Sequence, residues 1–373
     1  MKNVLEYTEQ ELKELNKEQL EILLHEAEQG ESLYNTQQMV AKLSINSLYG
    51  ALANKYFPLF NQEIARAITG NGRYFILSLG NLINKRLSEK LQRDHEFLIG
   101  GDTDSTYFSL LEFVKQKFPD YLNPEKFQEI TDWVDEFTNE NIQPIIQECI
   151  DTFAKDLNAF DKSVIGADRE IIASHAIFLA KKKYAARVID SEGVRYNPFK
   201  IKAVGLEIVK SSTPDFIKKK LKDEALSILF DGTLQDAQQW LEKSKEEFVN
   251  QPLDKISKAS GVTRIDYTIG GTETIPINSR ASIIYNNYIK EHRLEDSFDL
   301  ITAEDNMRMV YLRTPNPFGS DIVAFKDTKF IEQFREYVDF DTNFEKYFLS
   351  PFELMTNALG YNLNQFTEEL DEW

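Results

Sequence analysis

Residues 97–108, FLIGGDTDSTYF, constrain this chain more than any other stretch. Two aspartates, Asp102 and Asp104, sit two positions apart between apolar runs. The pattern predicts short strands over 96–100 and 105–110 about a tight turn. In an extended segment, residues i and i+2 point to the same side, which would set the two carboxylates together. Like charges so placed repel unless a cation neutralises them. A divalent ion such as Mg2+ takes hard oxygen ligands and keeps room for waters and phosphates. A solvated Asp-Thr-Asp turn fits the same letters, so the pair alone leaves both readings open.

The flanking sequence is largely helical. Thr8 and Glu11 fit a capping box for a helix over 8–29, with Leu12, Leu15, Leu20, Leu23 and Leu24 as a broken apolar stripe. The Gly-Glu-Ser at 30–32 predicts an interruption, and a second helix over 36–53 would complete a helical hairpin. Residues 62–93 and 124–155 read as helices, and 177–209 as strands with Asp-Ser-Glu-Gly at 190–193 as a hairpin turn. SSTPDFIKKKLKDEALSILFDG predicts a helix with Thr213 as N-cap, Pro214 at its first position and Asp231-Gly232 as its stop. The Gly-rich 267–285 reads as a strand region.

Composition bounds the class. The 373 residues suffice for two or three domains. The single cysteine, Cys149, permits no internal disulfide and fits a reducing, cytoplasmic setting. The N-terminal residues are charged and unlike a signal peptide, and no apolar run approaches a membrane span. A net charge of −18 argues against nucleic acid as a partner only if it is evenly spread. It is not. Between Lys181 and Lys222 stand twelve Lys or Arg against four acids, a local balance of +8.

Two further motifs bear on chemistry. On a helix, Lys42, Asn46, Tyr49 and Gly50 of KLSINSLYG fall near one face. A lysine there can meet a triphosphate as a point charge, a tyrosine can cover a base or sugar, and a glycine admits a base pair to the backbone. A core-facing Leu43, Ile45 and Leu48 with a polar outer side is the plainer reading. KKKYAARV places Lys181 and Lys183 on one face of a strand, with Lys182 and Tyr184 on the other. Lysines so spaced suit a nucleic-acid backbone, or protect a sheet edge.

Taken in order, K-x-x-x-N-S-x-Y-G, G-D-T-D-S and K-K-K-Y resemble the family B DNA polymerases, and most closely the replicative enzymes of T-even-type bacteriophages. The likeness extends through ADREI (167–171), GLEIVKSSTP (205–214) and NPFG (316–319). It implies an α+β fold: a partial helical fingers hairpin over 1–57, an incomplete antiparallel-sheet palm over 58–205, and a mostly helical thumb with a tail over 206–373. It implies DNA-directed DNA synthesis, with Lys42 on the incoming deoxynucleoside triphosphate (dNTP). Asn46, Tyr49 and Gly50 would line the nascent base-pair pocket. Asp104 would ligate two Mg2+ ions with Asp102 assisting. Lys181, Lys182, Lys183 and Tyr184 would hold the primer-template DNA. One departure stands out: family members often have Tyr where this chain has Gly100, which puts any contact of that side chain with the primer terminus in doubt.

The resemblance also implies a gap. The family's first palm motif, D-x-x-S-L-Y-P, supplies another metal-binding aspartate. Its nearest echo here, at 29–35, holds Gln29 in place of the Asp and Asn35 in place of the Pro. The expectation is therefore a split polymerase whose N-terminal subunit, a separate chain, brings that motif and the exonuclease and shares the metal site. A non-catalytic DNA-binding or scaffolding remnant of the same fold is the alternative. Phe366, Leu370 and Trp373 in the acidic tail loosely resemble a segment that binds the sliding clamp.

Overall fold

The computed structural model describes residues 7–159, 161, 165–271 and 273–361. The tail residues Phe366, Leu370 and Trp373 lie outside them. In chain order come α1 (Glu9–Lys13), α2 (Lys17–Leu52), α3 (Gln62–Leu91), β1 (Leu98–Asp102), β2 (Ser105–Phe108), α4 (Leu111–Lys117), α5 (Phe127–Phe137) and α6 (Gln143–Asp156). Then follow β3 (Ile171–Ala180), β4 (Lys183–Ser191), β5 (Val194–Val204), α7 (Asp215–Lys219), α8 (Leu226–Asp231), α9 (Leu234–Val249), α10 (Leu253–Ile256) and β6 (Lys258–Gly261). The last are α11 (Ile277–Glu291), β7 (Asn306–Tyr311), β8 (Ile322–Phe325), α12 (Thr328–Glu332), α13 (Phe340–Phe344) and α14 (Ser350–Ala358). The described sheets, β1-β2, β3-β4-β5 and β6-β7-β8, are antiparallel throughout, so the fold is α+β as expected. Among the described residues no helix is long and apolar enough to cross a membrane.

The chain divides into two units. One comprises Met1–Ser109 and Ile145–Ile165, the other Leu110–Pro144 and Gly166–Trp373. In the first, the Thr8–Glu11 capping box forms as expected. The break at 30–32 does not: α2 runs uninterrupted for 36 residues through Gly30. An interior glycine costs about 1 kcal/mol relative to alanine, too little to stop so long a helix. The helical hairpin is instead α2 with α3, closed where Asn61 N–H donates to Leu52 O at 3.0 Å and Asn61 Oδ1 caps α3 through Ile64 N–H. Phe75, Leu79, Ile83 and Leu87 form the buried face of α3. Phe153 of α6 packs on Phe75 at 5.1 Å between ring centroids, and Arg86 pairs with Glu148 at 2.8 Å.

The second unit owes its solidity to one apolar cluster drawn from β3 through α14, with Phe248, Phe325, Phe348 and Phe352 fully buried. Trp240 meets Phe352 at 5.0 Å and donates its indole N–H to Glu224 at 2.9 Å. Glu224 and Glu247 together hold Lys220, on the π-helical turn (Lys220–Ala225) joining α7 to α8, at 2.8 and 2.7 Å. Two expectations shift here. Pro214, not Thr213, is the cap of α7, and the Thr213 hydroxyl donates to Glu207 O instead. The stretch 267–285 contains no strand among its described residues. Its described residues up to Pro276 are coil, turn or bend, and α11 follows, because Pro276 caps a helix whose Ala281, Tyr285 and Ile289 share a buried face.

Candidate active site

The Asp102–Asp104 turn is held from below by α3. Asn84 Oδ1 accepts the backbone N–H of Phe97 at 2.6 Å and of Leu98 at 3.3 Å, which fixes where β1 begins. Leu98 fits over Gly80, where an added Cβ would lie 3.2 Å from its Cδ2. Gly101 allows a similarly close approach: a Cβ there would stand 2.9 Å from Ser105 O and 3.9 Å from Ile76 Cγ2. The register then sets Asp102 opposite Ser105, leaving Thr103 and Asp104 as a two-residue turn.

This corrects the extended-segment argument. Asp102 ends β1 and Asp104 lies in the turn, so strand alternation does not relate their side chains. A local loop does. Asp104 N–H donates to Asp102 O at 2.5 Å, and Thr103 is left-handed at φ 52°. A β-branched residue rarely accepts that conformation, and such strain concentrates at functional sites. The Thr103 hydroxyl donates to Asp102 Oδ1 at 3.1 Å, and the Ser105 hydroxyl to Asp102 O at 3.2 Å. Asp102 is half-buried and Asp104 exposed. The donor set, two carboxylates at an open turn, suits a hard cation that retains other ligands. Among the described residues no three His, Cys, Asp or Glu side chains are grouped so as to hold a metal ion.

Lys42, Asn46, Tyr49 and Gly50 lie on one continuous helix, α2, so helical geometry puts them near one face. All of residues 31–50 are exposed. That overturns the plainer reading of KLSINSLYG, because Leu43, Ile45 and Leu48 are 57%, 70% and 57% exposed and face no core. Ser44 and Ser47 turn their hydroxyls back to Val40 O and Leu43 O. Among the described residues Lys42 forms no ion pair. The helix α3 touches both α2 and the β1-β2 hairpin, and is the element these two parts of the candidate site share.

The lysine motif also sits on a turn rather than wholly in a strand. Lys181 and Lys182 join β3 to β4, with Lys182 left-handed at φ 62°, and only Lys183 opens the strand. All three lysines are exposed. Tyr184 is 7% exposed and stacks on Phe178 at 5.5 Å, which anchors the turn from inside. The surrounding basic band is less free than its charge suggested. Arg187, Arg195, Lys202, Lys210 and Lys220 are all in ion pairs.

Asp190, whose D-x-E spacing with Glu192 mimics a nuclease motif, is fully buried. Arg169 and Arg195 both pair with it, and Gly193 N–H donates to Oδ1 at 3.1 Å. Burial alone would raise its carboxyl. The two guanidinium groups and the Gly193 N–H outweigh it and hold the group below the ordinary range. The hairpin turn expected there is present, with Glu192 and Gly193 at positive φ. Sequence reasoning missed Asn84, Gly101 and Thr103 as the residues that shape the Asp102–Asp104 turn. Only the glycine carried a local signal.

Comparison with known proteins adds a second line of observation. The DNA polymerase family B model matches residues 13–127. The chain is 30% identical over 370 residues to the DNA-directed DNA polymerase of Escherichia phage RB69, covering 94% of the chain and 40% of that protein. It is 26% identical over 374 residues to that of Enterobacteria phage T4, covering 95% and 40%. A DNA polymerase 1 from Saccharolobus solfataricus is 28% identical over 205 residues. The chain thus spans 40% of the length of the phage relatives it matches.

Proposed function

Taking the chain as what these matches make it, part of a family B DNA polymerase, we propose that it carries one half of a two-metal nucleotidyl-transfer site. The observation that carries this reading is the strained Asp102-Thr103-Asp104 turn, which presents carboxylate oxygens at an open tip. The reaction is template-directed DNA synthesis from dNTPs in the host cytoplasm. When bound, two Mg2+ ions supply the charge that activates the primer 3′-hydroxyl and stabilises the leaving pyrophosphate. Asp104 would hold them and Asp102 would assist, its carboxylate oriented by the Thr103 hydroxyl. Lys42 meets the triphosphate, and its positive charge favours the charge developing there. Asn46 and Tyr49 border the nascent base pair, and Gly50 lets it approach the helix backbone. Lys181, Lys182 and Lys183 grip the primer-template backbone, with Tyr184 supporting them from within.

The remaining aspartate comes from polypeptide outside these residues, in the split arrangement a separate N-terminal chain. The bare surface of α2 supports that reading. A helix with Leu33, Val40, Leu43, Ile45 and Leu48 exposed on several sides is one that ordinarily has neighbours. The test is primer extension by this chain alone and with a polypeptide bearing the D-x-x-S-L-Y-P motif, with and without Mg2+. Extension only in the complete mixture is expected; synthesis by the isolated chain contradicts it. For the tail, deleting residues 364–373 is expected to remove clamp-dependent processivity, and unchanged processivity removes the clamp from the account.

A further inference from the structure

Gly205 stands at the end of β5, one residue past Val204, which pairs with Tyr184. Its backbone is left-handed at φ 65°. A Cβ added there would overlap the Lys182 carbonyl oxygen and lie 3.2 Å from the Lys182 carbonyl carbon and 3.3 Å from Lys183 Cγ. The obstacle on the oxygen side is backbone, so it cannot yield by rotating a side chain. Lys182 is itself left-handed at φ 62°, which leaves the two-residue turn little freedom to move aside. Two unusual backbone conformations therefore meet, one beneath the lysine turn and one within it.

We propose that Gly205 is a positioning residue for DNA: the absence of its side chain lets the end of β5 seat the Lys181–Lys183 turn. Any side chain at 205 pushes the Lys182 carbonyl outward and swings Lys181 and Lys183 off the phosphates they meet. The inference rests on the reading of those lysines as DNA contacts. The same sheet supplies its own control. Gly193, in the turn at the opposite end of β4, is left-handed at φ 87°, but a Cβ there meets nothing within 4 Å. Alanine at 193 carries the conformational penalty without the crowding.

The experiment is a salt titration of binding to a primer-template duplex by fluorescence anisotropy, using the full chain. For each neutralised phosphate the slope of log K against log salt changes by about 0.9, so Lys181→Ala/Lys183→Ala should reduce it by about 1.8. Gly205→Ala should reduce the slope comparably, and Gly193→Ala should leave it at the wild-type value. Gly205→Asn keeps the Cβ but tolerates the left-handed backbone. It should show the same loss of slope with a milder loss of thermal stability, and it decides the matter if the alanine variant does not fold. Folded Gly205→Ala or Gly205→Asn protein with a wild-type slope overturns the inference while the lysine contacts stand. A wild-type slope in the double lysine variant, or no binding by the wild type, overturns the lysine reading and this inference with it.

Discussion

Two turns in this molecule carry an acid-x-acid sequence, Asp102-Thr103-Asp104 and Asp190-Ser191-Glu192, and their surroundings are opposite. Asp190 is fully buried and sits between Arg169 and Arg195, with its turn built on Glu192 and Gly193. Asp104 is exposed on a turn bent through a strained threonine, with the half-buried Asp102 beside it. Arg195 also reaches Asp132 at 3.0 Å, so the second acid-x-acid turn is tied to α5. Two carboxylates two residues apart therefore say little about chemistry by themselves. Burial between two arginines gives Asp190 a structural role, whereas exposure leaves Asp104 accessible from solvent.

Substitutions can break this comparison. The largest effect belongs to Asp104→Ala in the completed polymerase: synthesis should fall by roughly 10³-fold or more, the several kcal/mol a metal contributes. Its thermal stability should hardly move, since an exposed turn position carries little packing. Asp190→Ala should do the reverse. Removing one partner from a buried charge cluster costs about 3–5 kcal/mol, so denaturant unfolding should shift strongly while DNA synthesis by the protein still folded persists.

Lys42→Ala comes next. Loss of one preorganised positive group should slow synthesis about 10²-fold in kcat, with melting unchanged. The smallest effect is pH-dependent. Because the folded Asp190 carboxyl lies below its unfolded value, its contribution is complete above the unfolded pKa and is lost as pH falls through the folded one. Asp190→Asn should flatten the acid limb of the stability curve. An identical acid limb in Asp190→Asn would dissolve the distinction between the two turns.

Much of the fold was legible because local rules suffice for it. The Thr8–Glu11 box, α3, the long helical run through α5 and α6, and the Asp231-Gly232 stop all follow from spacing and caps. Readings went astray where a local signal was overridden. Gly30 was absorbed by a 36-residue helix, and the apolar letters after Pro276 wind into α11 rather than extend. KKKY spans a turn because β3 and β4 leave only Lys181 and Lys182 between them. At the candidate site, the residue types were visible but their support was not. Asn84 acts on Phe97 across thirteen positions, and Arg169 reaches Asp190 across twenty-one. No period in the sequence connects such partners, so the two acidic turns look alike until the fold sets arginines around one of them.

The most direct test of the half-site is a Mn2+ titration followed by electron paramagnetic resonance, with Mn2+ standing in for Mg2+. It would compare the isolated chain with the mixture containing the aspartate-bearing polypeptide, primer-template and dNTP. The account predicts weak binding by the chain alone, two tightly held ions in the full mixture, and their loss with Asp104→Asn. Two tight ions on the isolated chain, or undiminished binding by Asp104→Asn in the mixture, would contradict it.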